Sequence, residues 1–223
     1  MCGIVGLFRQ TPGTVNPEEI RRTLDRMRHR GPDDEGYLAV RMSDGKVVPC
    51  GGRDSERRLD LPDLEIARGG GFNLVLGHRR LSIIDLSESG HQPMASADSR
   101  FWIVYNGELY NYVELRAELA AKGHPFRTET DTEVILAAYR EWGAAMLGRF
   151  IGMFAFAILD LDEAKLFMAR DFFGIKPLYY AVVGNQFAFA SEIKAVLEIP
   201  GVARNADPQR LYEYLRFANT DSR

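Results

Sequence analysis

The first place where this sequence could do chemistry is its second residue. Cys2 follows the initiator methionine directly, in Met1-Cys2-Gly3-Ile4-Val5-Gly6. A cysteine attacks a carbonyl as its thiolate and needs a base to reach that form. No Cys–His pairing is legible, because His29, His78, His91 and His124 are scattered along the chain. Removal of Met1 supplies a different base. Cys2 then carries a free α-amine, which titrates at about 7.7–8.0 in model peptides. That amine can take the thiol proton and return one to a leaving amine. Cysteine is small enough for methionine removal, and Gly3 leaves the backbone beside the thiol uncrowded. The plain alternative is a small buried residue at the edge of a strand.

The rest of the chain must hold that residue in a site. Its 223 residues fit one large domain or two small ones and can bury a core without staples. With 46% hydrophobic and 26% charged residues, it falls outside the disordered and low-complexity classes. A net charge of −3 argues against a nucleic-acid binder that relies on basic charge. The longest uncharged apolar stretch, Phe150 to Leu159, is half a membrane span, so no membrane association is expected. The start has no basic n-region, and two cysteines, Cys2 and Cys50, are too few for a disulfide scaffold. The expected location is the cytoplasm.

Strands are expected at 3–8, 37–42, 73–76, 101–105, 151–159, 165–169, 178–183 and 186–190, the last two joined by Gly184-Asn185. Asn16-Pro17 opens a helix with Ile20, Leu24 and Met27 inward, stopped by Gly31-Pro32. Further helices are expected at 112–122, with Val113, Leu115, Leu119 and Ala120 inward, at 132–142, and after Asp207-Pro208. Ser43 to Gly71 reads as a long surface excursion with one hairpin, and Cys50 within it as incidental. Hairpins outnumber βαβ units, so the expected class is α+β with mostly antiparallel sheets.

The residues after Cys2 resemble a known family. Cys2-Gly3-Ile4-Val5-Gly6 is similar to the start of class II glutamine amidotransferases, the N-terminal-nucleophile glutaminases. Arg28-His29-Arg30-Gly31-Pro32-Asp33, Gly77 to Ile83, Tyr105 to Asn111 and Thr130 to Glu133 resemble later blocks in the same order. Arg170 to Leu178 and Ala190 to Lys194 resemble two more. The branch most resembled is the glutaminase half of glutamine-hydrolysing asparagine synthetase. The departure is 43–71, longer than that family leads one to expect, which leaves the entrance to the site open.

The resemblance implies a four-layer αββα sandwich of the N-terminal-nucleophile hydrolase type. It implies that Cys2 is the nucleophile and its α-amine the base. The Asn106 amide and Gly107 N–H would form the oxyanion hole, and Arg80 would pair with a substrate α-carboxylate. Glu108 and Asp131 would hold an α-ammonium, and Ser82, Ile83 and Ile84 would line the pocket. These types suit L-glutamine, a zwitterion at its α end. Plainer roles stay open: a surface arginine at 80, a turn dipeptide at 106–107, a solvated carboxylate at 108 and a helix cap at 131. Arg28, His29 and Arg30 read as structural basic residues at a helix end. Gly174 and Pro177 read as shaping a turn.

Two other functions compete with glutamine hydrolysis. One is an amidase of the same type acting on another amide. The other is a non-catalytic domain that senses glutamine or docks a synthetase. Gly69-Gly70-Gly71 lacks a following Lys-Ser/Thr and is not a P-loop. The histidines lack metal-ligand spacing, so no metal is expected. No cofactor is expected for these residues; ATP and magnesium would belong to a synthetase domain outside them. The expected organisation is one glutaminase domain over 1–223, with 207–223 leading toward such a domain. Self-association is compatible with this reading.

Overall fold

The computed structural model describes residues 1–10, 14–82 and 87–218. Two antiparallel sheets organise them. One contains β1 (Gly3–Arg9), β2 (Asp34–Arg41), β3 (Lys46–Cys50), β4 (Leu74–Arg80), β9 (Tyr179–Val183) and β10 (Gln186–Ala190), in the order β3-β2-β4-β1-β10-β9. The other contains β5 (Met94–Ala95), β6 (Phe101–Leu109), β7 (Gly152–Asp160) and β8 (Lys165–Arg170), in that order. The helices are α1 (Pro17–Asp25), α2 (Tyr112–Ala121), α3 (Asp131–Trp142), α4 (Ile193–Val196) and α5 (Pro208–Phe217). Among the described residues, no helix is long and apolar enough to cross a membrane.

Side-chain alternation along the strands explains the layering. Ile4 of β1, Leu38 and Val40 of β2, and Leu74 and Leu76 of β4 face Trp102 and Val104 of β6 and Ala155, Ala157 and Leu159 of β7. The intervening Val5, Leu7, Ala39 and Val75 face the other way and pack on Ile20, Leu24 and Met27 at α1 and on Ala195 and Val196 of α4. On the far side of the second sheet, Ile103, Tyr105, Phe156 and Ile158 pack on Leu115 and Leu119 of α2 and Val134, Ile135 and Ala138 of α3. The result is an αββα sandwich in which the central strands of both sheets are buried on both faces. This is why β1 reads as a continuous apolar run despite its antiparallel neighbours. Gly6 is required there: a β-carbon would sit 2.1 Å from the Phe189 ring.

Several elements depart from expectation. The strand expected at 73–76 continues to Arg80, and the one expected at 101–105 continues to Leu109. Charged and polar residues disguise both extensions, yet Asn106-Gly107 pairs with Ala155 and Phe154 as regular strand rather than turn. Val113 and Ala120 point outward, so α2 buries only Leu115 and Leu119. The 43–71 segment contains the expected hairpin, β2 to β3, but is no loose excursion. Cys50, Leu64 and Ala67 enter the core under α1, and Gly51 bridges to Asp63. Cys50 is therefore a buried strand residue, not a loop residue. As expected, Asn16 caps α1 and Asp207 caps α5, though α5 buries none of its residues.

Candidate active site

The alternation that builds the seam between the sheets also carries polar residues to its end. Cys2 stands two residues before Ile4, and Asn106 two after Val104, on the faces that oppose each other. On β4 the same face carries His78 and Arg80 after Leu74 and Leu76, whereas Arg79 turns under α1. There Arg79 is 1% exposed and pairs with Asp25, Glu35 and Asp54. A cleft of about 260 Å³ opens where the apolar seam stops. Its walls include Met1, Cys2, Arg80, Leu81, Gln92, Tyr105, Asn106, Gly107, Glu108, Thr130, Asp131, Thr132, Met153 and Lys176. No residue of 43–71 is among them, so the long segment leaves the walls untouched.

Cys2 is held from two sides. Its sulfur accepts the Leu81 N–H at 3.4 Å, and its carbonyl accepts from Arg30 Nε at 2.9 Å. Arg30 is itself paired with Glu192. Burial pushes the thiol up, against the opposing pull of the Leu81 N–H, the chain-terminal amine, Arg80 and Lys176. Burial lowers that amine, here on Met1, with Arg30 and Lys176 adding to the effect.

Facing the thiol are two donors. Asn106 is 1% exposed, and its Nδ2 has no hydrogen-bond partner among the described residues. A buried amide donor left open is costly, so it calls for a role. The second donor follows from strand phase. Tyr110 N–H bonds to Ile151 O and Leu161 N–H to Arg100 O, so even residues of β6 bond to β7. Odd residues face away from β7. The N–H of Tyr105 is taken by Gln92 Oε1 at 2.7 Å and that of Leu109 by Asp131 Oδ2 at 3.0 Å. Gly107 N–H stands between them, with no acceptor among the described residues. A β-carbon at 107 would lie 2.5 Å from Met153 O, so only glycine keeps the strand in place.

Asp131 opens α3, with Thr130 as the capping residue. It is 5% exposed, and the Tyr105 hydroxyl also donates to its Oδ2, at 2.8 Å. Burial raises its carboxyl, only partly offset by those bonds. Glu108, at the open end of β6, is exposed and lines the same cleft. Arg80 is 8% exposed, donates to Ser87 O at 2.8 Å and lies on Gly90, where a β-carbon would strike its guanidinium at 2.0 Å. His78 donates to Tyr105 O at 3.0 Å, and burial pushes it down to about 3, which keeps it neutral.

Cys2, Arg80, Asn106, Gly107, Glu108 and Asp131 thus meet in one cleft. Ser82 lies apart: its N–H is on Asp33, and it lines a neighbouring groove with Glu56 and Arg58. Ile83 and Ile84 lie outside the described residues. Sequence reasoning missed three contributors. Arg30 anchors Cys2, Gln92 bridges Tyr105 to Thr132 (3.3 Å), and Lys176 is buried in the wall. Arg30 and Lys176 were visible only as residues within blocks and Gln92 lay in none, because the role of each depends on strands distant in sequence.

The sequence and the fold have counterparts in known proteins. The family model described as "Glutamine amidotransferase domain" matches residues 62–223. Asparagine synthetase [glutamine-hydrolyzing] 1 of Bacillus subtilis is 41% identical over 97% of this chain and 30% of its own length. A putative asparagine synthetase [glutamine-hydrolyzing] 2 of Methanocaldococcus jannaschii is 35% identical over 97% of this chain and 40% of its own. The chain therefore spans about a third of the curated relatives it matches. Glutamine phosphoribosylpyrophosphate amidotransferase from B. subtilis shares the fold, with a TM-score of 0.67 at 23% identity over 87% of this chain and 42% of that one. The chain belongs to the glutamine amidotransferase domain family.

Proposed function

We propose that this chain hydrolyses the side-chain amide of L-glutamine to glutamate and ammonia. The observation that carries the reading is the pair of open donors, Asn106 Nδ2 and Gly107 N–H, in the cleft that holds Cys2. Open, preorganised donors suit an oxygen that becomes charged during reaction. After loss of Met1, the Cys2 α-amine takes the thiol proton as sulfur attacks the amide carbon. The resulting oxyanion receives the two donors. The amine returns the proton to the departing nitrogen, which leaves as ammonia, and a thioester remains. Water, deprotonated by the same amine, attacks the thioester, and the thiol is restored as glutamate leaves. Each step uses only groups of this chain and water.

At the other end, Arg80 receives the α-carboxylate, and Asp131 with Glu108 receives the α-ammonium. A simple amide leaves these charges unmatched, which favours glutamine over other amides. Because the relatives' names join glutamine hydrolysis to asparagine synthesis, the ammonia is assigned to a synthetase domain or subunit, which would bind the ATP and magnesium. The site draws on residues from Cys2 to Lys176, which supports one glutaminase domain, with 207–223 leading toward the synthetase.

Replacing Asn106 with Ala tests the reading. It should lower kcat for ammonia release about 10²–10³-fold with little change in KM, since the donor acts on charge that develops only in the transition state. An unchanged kcat would refute it.

A further inference from the structure

Lys176 is 6% exposed and faces the cleft beside Met1, Cys2, Asn106 and Met153. Lysine is almost never buried to this degree without a counter-charge. Yet among the described residues no carboxylate stands at ion-pair distance from its ammonium, and no acceptor is hydrogen-bonded to it.

The backbone that delivers this side chain is built for the purpose. Asp171, itself 6% exposed, accepts the N–H groups of Phe154 (3.2 Å), Ile175 (2.8 Å) and Lys176 (2.9 Å). Phe154 is the ladder partner of Gly107, so Asp171 ties the lysine to the strand opposite the open donors. Gly174, at φ +64°, makes the bend.

The other charges around the cleft come from every neighbouring element. Arg30 follows α1 and is committed to Cys2 O and Glu192. Arg80 ends β4 and is bonded to Ser87 O. Asp33 precedes β2 and accepts the Ser82 N–H. Asp131 opens α3 and accepts from Tyr105 and Leu109, and Glu108 is exposed on β6. Among the described residues, Lys176 is the buried cation of the cleft without a partner.

We propose that Lys176 is a positioning charge for the nucleophile: its ammonium stabilises the Cys2 thiolate and keeps the adjacent α-amine free to accept the thiol proton. This rests on the reading of Cys2 as nucleophile, not on the identity of the amide. It agrees with the direction in which Lys176 acts on the Cys2 thiol, against burial.

The test is the pH dependence of Cys2 alkylation by iodoacetamide in the Met1-free chain, read by mass spectrometry on the N-terminal peptide. In Lys176→Met the thiol's titration midpoint should rise by about one pH unit. The thiolate fraction at neutral pH then falls about tenfold. A more basic thiolate is a better nucleophile, so the net loss in alkylation rate is about threefold. Lys176→Arg should restore the original profile. Lys176→Met should melt no lower than the unsubstituted chain, because it removes an unpaired buried charge. Coincident alkylation profiles would overturn the proposal. So would failure of both Lys176→Met and Lys176→Gln to fold, which would make the lysine structural. Glutamine turnover by the unsubstituted chain tests the glutaminase reading separately, since alkylation needs no glutamine.

Discussion

Cys2 and Cys50 lie at the ends of strands in the same sheet, and their surroundings differ in one respect. Around Cys50 the charges are matched. Arg21 pairs with Asp63, and burial, which would raise the Asp63 carboxyl, is outweighed by the Glu65 N–H and Arg21, leaving it below the usual range. The Cys50 thiol is pushed up to about 11 by burial, with little to oppose it. Around Cys2 the groups are buried but left open. Among the described residues Asn106 Nδ2 has no acceptor, and neither Lys176 nor Asp131 has an opposite charge at ion-pair distance; burial raises the Asp131 carboxyl. Cys50 is the more buried residue, yet burial pushes both thiols up, so that direction does not distinguish them. Open donors occur on both sides, since Arg21 Nε beside Cys50 also lacks an acceptor among the described residues; unmatched charge, at Lys176 and Asp131, is found only around Cys2, and it marks the region that awaits a ligand.

That contrast can be broken most sharply by exchanging the roles of the two cysteines. Cys2→Ala should cost at least about a thousandfold in ammonia release from glutamine, as loss of a covalent nucleophile does elsewhere. Cys50→Ala should leave the rate unchanged. Equal losses would remove the distinction.

A smaller effect is expected at Asp131. Asp131→Asn should raise KM for glutamine about tenfold or more, with a lesser effect on kcat, because a charge-assisted contact to the ammonium is lost. The unsubstituted chain should show a related pH effect. The carboxylate form binds the ammonium, so binding is full above the Asp131 pKa and weakens as pH falls through it. Since that pKa is raised, the weakening should begin above the range of an ordinary aspartate. A KM that stays flat through mildly acid pH would count against the assignment.

The smallest effect belongs to the Cys50 side. Cys50→Ala removes one sulfur from a packed core and should lower stability by about 1 kcal/mol, seen in denaturant unfolding. A much larger loss would mean that this region is less self-contained than its paired charges indicate.

How far the site was legible follows from the same contrast. Cys2, Asn106, Gly107, Arg80, Glu108 and Asp131 could be named because they sit in short blocks that resemble a family. Alternation could also have placed His78 and Arg80 on one face and Arg79 on the other, had β4 been recognised past Leu76. The charged run His78-Arg79-Arg80 hid the strand, and a buried Arg79 with three carboxylate partners is not a pattern that propensity anticipates. Lys176 was unreadable for a different reason. Its burial depends on Asp171 gathering N–H groups from β7 and its own turn, and no local period encodes that. The 43–71 segment misled through its glycines, which permit turns between short packed pieces rather than a free loop.

The central claim is that Cys2 acts with its own α-amine. It is tested most directly by measuring ammonia and glutamate release from glutamine by matched preparations with and without Met1, each verified by intact mass. The Met1-free chain should turn over, with equal amounts of the two products. The Met1-bearing chain should be slower by about a thousandfold, close to Cys2→Ala, because its amine is one residue removed from the thiol. Equal turnover by the two preparations would contradict the account.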